Sequence, residues 1–233
     1  MKTHKARTFL RVGALLAVAV TWASLAQAKC SITWTGNVDY WNNPNNWKPR
    51  RVPGPTDNVC IPSGEADGRT TPSISVHSIK VSNGAVLVFG SGTVSVATSV
   101  SIQQAYLSLL GTTLSATSVV NQSGTLMGNG TIEGSLTNDG FLEPNAQSLT
   151  VTGNYTQAST GELSEYWGSA ATLNVNLNAT LSGYLVVHYS TKIPPNPGST
   201  YTAMTFGSLS GAFTSVSPGT AEYTNNSVVV TFP

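Results

Sequence analysis

The middle of this 233-residue chain carries five carboxylates, Glu133, Asp139, Glu143, Glu162 and Glu165, and two histidines, His77 and His188. Two carboxyl groups facing one glycosidic bond are the machinery of glycoside hydrolysis. A basic residue beside acids that hold calcium is the machinery of a polysaccharide lyase. The lyase reading loses its usual base, because no Lys or Arg occurs between Val81 and Thr191. Glu162 and Glu165 are three residues apart, which on a strand points them to opposite faces. Asp139 beside Gly140 reads as a turn residue and Glu143 before Pro144 as a turn flank, so all five acids are expected on solvated turns or coil faces. Each histidine is embedded in alternating strand sequence, Ser-Val-His77-Ser-Ile and Val-Val-His188-Tyr, as a surface or satisfied core residue would be. No Gly-x-Ser-x-Gly elbow occurs. The expectation is a non-catalytic protein without cofactor or metal, and the alternative is a polysaccharide-active lyase or hydrolase.

Cys30 and Cys60 are the only cysteines. In an exported chain such a pair is expected to join, and two isolated Cys with distant histidines lack zinc spacing. Between them lie Trp34-Thr-Gly36, Tyr40-Trp41, Asn46-Trp47 and several Asn and Pro turn residues. One reading is an aromatic plug over the open first coil of a repeat array. The other is a sugar platform, with Tyr40, Trp41 and Trp47 stacking on pyranose rings while Asn and Asp bond hydroxyls.

What positions these groups is a repeat. The phrases Ile79-Lys-Val81-Ser-Asn-Gly84-Ala-Val86, Val100-Ser-Ile102-Gln-Gln-Ala105-Tyr-Leu107, Val119-Val-Asn121-Gln-Ser-Gly124-Thr-Leu126, Leu136-Thr-Asn138-Asp-Gly140-Phe-Leu142 and Tyr155-Thr-Gln157-Ala-Ser-Thr-Gly161-Glu-Leu163 recur with drift. Their small residues at 84, 105, 124, 140 and 161 are 21, 19, 16 and 21 positions apart. A period near 20, carried by short Val/Thr/Ser-rich alternating runs, predicts a β-solenoid whose coils bury their apolar faces by stacking. Beyond it, Leu173, Val175 and Leu177, then Leu181 to Val187, Tyr201 to Phe206 and Val228 to Phe232 read as further strands.

Lys2, Lys5, Arg7 and Arg11 precede an apolar run from Val12 to Leu25, and Ala26-Gln27-Ala28 supplies a signal-peptidase pattern. The apolar run is short for a spanning helix, so cleavage near Ala28 and a secreted or cell-surface location are expected, with no transmembrane segment in the mature chain. Lys29 stands where a lipid-attachment signal wants a small residue, which disfavours lipidation of Cys30. Four of the eleven basic residues and none of the ten acids fall in the leader, leaving 7 − 10 = −3. That balance argues against nucleic acid and anionic lipid as partners.

Trp-Thr-Gly, Asn-Trp, Val-Pro-Gly and Asp57-x-Val-x-Ile resemble the opening of exported bacterial β-helical proteins. Gly128-Asn-Gly-Thr-Ile-Glu-Gly and Leu149-Thr-Val-Thr-Gly-Asn-Tyr resemble autotransporter-passenger and haemagglutinin-type repeats. The resemblance implies an all-β, single-stranded right-handed parallel β-helix. It departs from the autotransporter pattern in showing no run of amphipathic strands for an outer-membrane barrel. The expected division is a leader over 1–28, a disulfide-linked aromatic N-terminal cap over 29–72, coils over 73–168, and C-terminal β coils with a β-rich cap over 169–233. The expected role is structural or adhesive, with weak binding of cell-surface glycans.

Overall fold

The computed structural model describes residues 29–168 and 172–233; the expected leader over 1–28 lies outside them. The fold is an all-β solenoid of about six turns with mostly parallel strands. Among the described residues the single helical element is the short 3₁₀ turn Pro44–Asn46, and no helix is long and apolar enough to cross a membrane.

The parallel pairings resolve into three sheets, each gaining one strand per coil. The first runs from Ile32–Trp34 through Asn58–Ile61 and Ser78–Ser82 to Tyr155–Gln157 and residues 178–181. The second runs from Val38–Tyr40 through Glu65–Asp67 and Val86–Phe89 to Glu162–Tyr166, Tyr184–His188 and Ser215–Ser217. The third begins at Ser73–Val76 and ends in residues 204–206. One long strand can serve several sheets: Tyr106–Asn121 passes through all three, turning where its register breaks at Leu110/Thr112 and Ser115/Ser118. Parallel stacking therefore extends on both sides of 73–168, and the aromatic segment is itself part of the first coil.

Alternation drives this arrangement. On the second sheet Ala66, Leu87, Leu107, Leu126, Leu142, Leu163 and Leu185 stand above one another, all buried. Truncating one such Leu to Ala costs about 2 to 5 kcal/mol. The small residues of the repeat mark the corner between the first and second sheets. A Cβ on Gly124 would lie 2.5 Å from the Ala105 carbonyl oxygen, and one on Gly140 2.4 Å from that of Gly124. The corner also corrects the sequence alignment by one residue. Tyr106 donates its N–H to Ala85 as Thr125 does to Ala105, so Ala85, not Gly84, lies under Ala105. Gly84 is in the left-handed region at φ 78° and shapes the turn before the corner.

Part of the core is polar. The first-sheet stack Ile61, Val81, Ile102 continues as Asn121, Asn138 and Gln157. The Asn121 amide donates to Asn138 at 2.8 Å and that of Asn138 to Gln157 at 3.1 Å, while Gln157 donates to the Tyr184 carbonyl at 3.2 Å. Each amide thereby satisfies a buried neighbour one coil away.

At the far end, Ser227–Thr231 pairs antiparallel with Thr200–Gly211 and with Thr220–Tyr223, closing the third sheet. Trp167 packs edge-on against Phe232, with ring centroids 4.8 Å apart. Leu177, expected inward with Leu173 and Val175, is exposed, because the register shifts between Val175 and Asn178 at a coil corner. Stacked coils keep first and last repeats far apart, so small-angle scattering is expected to give an elongated particle; a near-spherical envelope would contradict the arrangement.

Candidate functional site

The N-terminal tryptophans are interior. Trp34 and Trp41 both meet Trp47 edge-on, at 4.9 and 4.8 Å between centroids, and Trp41 continues to Phe89 at 6.0 Å. The Trp47 indole N–H donates to the Trp41 carbonyl at 2.8 Å. A Cβ on Gly36 would stand 2.8 Å from the Trp34 ring, which accounts for the Trp-Thr-Gly spelling. Each of the three side chains is only 1% exposed, so none presents a face to a sugar. Of the candidate glycan contacts, Trp41 and Trp47 are therefore corrected to cap residues, and Tyr40, 51% exposed, keeps an open ring. The neighbouring amides are occupied as well: Asn43 bonds Asp39, its carbonyl oxygen accepts from the Asn45 N–H, and Asn46 bonds the Tyr40 carbonyl. Asp39 is held below the usual carboxylate range by Asn46, the Tyr40 N–H and Asn43.

Two further constraints hold this end. Cys30 and Cys60 form a disulfide with Cα atoms 5.7 Å apart across 30 residues, as expected from the sequence. Asp57 is buried and receives Arg51 bidentately at 2.5 and 2.6 Å, the Gly54 N–H at 2.8 Å and the Ser31 hydroxyl at 2.8 Å. Arg51 is the main reason its carboxyl sits far below the ordinary range.

The five acids do not all converge on one site; Glu143 and Glu162 share the second sheet. Glu133 faces outward on the third sheet, where a shallow groove of about 510 Å³ is lined by Pro55, Ser75, Ser95, Ser115, Thr117 and this single carboxylate. Asp139 lies at a turn, as expected, and accepts the Thr160 hydroxyl. Glu143 lies inside the strand Phe141–Val151 and not at a turn flank; the extended backbone that precedes a proline suits a strand, and Pro144 is buried. Glu162 and Glu165 take opposite faces, as their spacing requires, but Glu165 is 0% exposed instead of solvated. His77 lies at a corner between Ser73–Val76 and Ser78–Ser82, whereas His188 is exposed on the second sheet beside Tyr166, with rings 5.1 Å apart. Among the described residues no group of three metal-ligating side chains forms.

Glu165 was hidden from sequence reasoning because its neighbours Ser164 and Tyr166 are polar or amphipathic. It occupies an inward position, in register with Val187. Its Oε2 accepts the Tyr201 hydroxyl at 3.1 Å, and among the described residues its Oε1 meets no hydrogen-bond criterion. Burial pushes its pKa well above the ordinary carboxylate range; the Tyr201 hydroxyl and the Leu173 N–H oppose that, and the Glu143 carboxylate adds to it. Such a displaced acid is a mark of catalytic sites, yet this one is closed to any substrate.

The open surface lies on the second sheet. Tyr40, Tyr106, Tyr166 and Tyr184 all project from it and are exposed. Compared with known protein families, curated proteins and solved structures, the chain matches none. The fold and this surface define a three-sided β-solenoid with a tyrosine-bearing face.

Trp47→Ala is expected to lower unfolding free energy by about 3 to 5 kcal/mol, as for a buried aromatic. Tyr40→Ala should shift it by less than about 0.5 kcal/mol, both read by chemical denaturation. Glu165 generates a pH dependence. Above about pH 4.3 the unfolded chain loses a proton that the fold retains, so stability falls by about 1.4 kcal/mol per pH unit until the native acid titrates. Asp57, displaced downward, contributes stability that is lost only as pH falls below about 4. Between about pH 5 and 7, Glu165→Gln should reduce the fall of stability with pH, read by chemical denaturation.

Proposed function

We propose that this chain is an exported, non-catalytic β-solenoid of the bacterial surface or extracellular space, structural or adhesive in role, with weak affinity for glycans. The observation that carries the reading is the gathering of solvent-facing tyrosines on the second sheet, whereas Glu133 lies on the third sheet, Asp139 at a turn and Glu165 in the interior. The absence of Lys and Arg between Val81 and Thr191 supports neutral polymers over nucleic acid or anionic lipid as partners. Stacking one sugar on an aromatic ring contributes of order 1 kcal/mol beyond buried area, so useful adhesion would come from many copies on a surface. Export and the autotransporter-like character rest on the leader pattern and the repeat resemblance.

A second reading has its own observation. Phe141 and Glu162 are in register on adjacent strands of the second sheet, which places Glu143 diagonally from Glu162 on the same face. A strand spacing of about 4.8 Å and a two-residue rise of about 6.6 Å put their Cα positions about 8 Å apart, within the carboxyl separations used in inverting glycoside hydrolysis. Incubation with a panel of plant and bacterial polysaccharides decides between the two. The expected result is retention on glycan without release of reducing ends or unsaturated product. Release that Glu143→Gln or Glu162→Gln abolishes would establish the enzyme instead.

A further inference from the structure

On the outward face of the second sheet, one row runs in unbroken register through Tyr106, Thr125, Phe141, Glu162 and Tyr184. Tyr106 is 48% exposed and Tyr184 45%, with Phe141 half-buried between them. The aromatic rings therefore stand on alternate coils, and a residue able to bond hydroxyls stands on each coil between. Two coil steps measure roughly 9.5 Å, and Tyr106 to Tyr184 spans roughly 19 Å.

From this row we infer that the second sheet is a linear track for one extended, uncharged β-linked glycan lying along the solenoid axis. Tyr106, Phe141 and Tyr184 stack on alternate sugars, and Thr125 and Glu162 bond the hydroxyls of the sugars between. The inference rests on the glycan-binding reading above and gives it a site and a substrate class. Two properties of the face select that class. Its ring spacing is close to the two-residue repeat of a flat, extended β-linked pyranose chain, whereas a coiled α-linked glucan curves away from a straight row. Its charge is solely acidic, from Glu162 and nearby Glu143, with no Lys or Arg between Val81 and Thr191 to neutralise a uronate, sulfate or phosphate polymer. A protein partner is disfavoured by the interleaving of rings with Thr and Glu, since the centre of a protein interface is depleted of charged residues.

The test uses cello- and chito-oligosaccharides of increasing length, with amylose and polygalacturonate as controls, in affinity electrophoresis or calorimetry. Binding is expected to strengthen with length until the ligand spans Tyr106 to Tyr184, and to be absent for both controls. Tyr106→Ala and Tyr184→Ala should each weaken it roughly fivefold, given the modest contribution of one stacked ring. Leu177→Ala, at an exposed corner between the third and first sheets, should leave it unchanged, and circular dichroism should show all variants folded. Wild-type binding that survives loss of both Tyr106 and Tyr184 overturns the track while the glycan-binding reading stands. No binding to any glycan overturns both. Concentration-dependent self-association lost in the Tyr106 and Tyr184 variants, without glycan binding, would make the face a contact between copies and also overturn the track. Release of reducing ends by a protein whose binding depends on the row would support the track and overturn the non-catalytic reading.

Discussion

A coil built from short strands has no partner for its backbone except the coils above and below it, and this dependence organises the molecule. Every buried N–H and C=O must be paired, and in a solenoid the pairing runs almost wholly between neighbouring turns. An interior coil acquires its geometry from both neighbours. The terminal coils have one neighbour each, and their outer edges would recruit strands from other chains if left open. Both ends meet this constraint with a reversal of strand direction: Trp47–Lys48 pairs antiparallel with Ile32–Trp34 at the start, and Ser227–Thr231 pairs antiparallel at the close. Aromatic clusters then fill the coil interiors that stacking no longer covers, Trp34, Trp41 and Trp47 at one end and Trp167 with Phe232 at the other.

The interior shows what the same repetition does to polar groups. A lone buried amide costs free energy unless its donors and acceptor are met. Asn121, Asn138 and Gln157 answer one another because the coil repeat brings them into a single stack, and each also reaches a backbone carbonyl of the next turn. Slipping the register by one residue would turn these amides outward and set their polar neighbours in the core. The amide stack thus favours a single register in coils where apolar residues alone would tolerate error. Glu165 has no such partner stack, since Val187 stands above it.

Much of this was legible in the residues. The period near 20 and the Val/Thr alternation predict stacked strands, and the only two cysteines predict the bridge. What misled the reading lies mainly at corners, where the twofold alternation of a strand is interrupted. Gly84 matched Ala105 in spelling, yet the left-handed turn through Asn83 and Gly84 places Ala85 in the stack. Leu177 continued the pattern of Leu173 and Val175, and the register shift after Val175 turned it outward. The orientation of Trp41 and Trp47 could not be read, since a ring that seals a coil and a ring that meets a sugar are spelled alike. The row of Tyr106, Phe141 and Tyr184 is not legible in the sequence because its members are separated by whole coils of unequal length, which only the strand register brings into line.

Translation along the axis acts on the surface as it does on the core. A group placed outward once is accompanied by its counterparts at the spacing of hydrogen-bonded strands, so the surface offers a fixed interval instead of a single pocket. The interval is held by backbone hydrogen bonds on both sides of each strand, and little side-chain or loop ordering remains to be lost when a partner settles on it. A ring in a flexible loop would surrender more of its modest stacking energy to that ordering. The charge-poor middle of the chain fits the same logic: where each contact is weak, one fixed like charge near the track could cancel the contribution of a stacked ring, and the acidic Glu162 and Glu143 make that discrimination fall on anionic polymers.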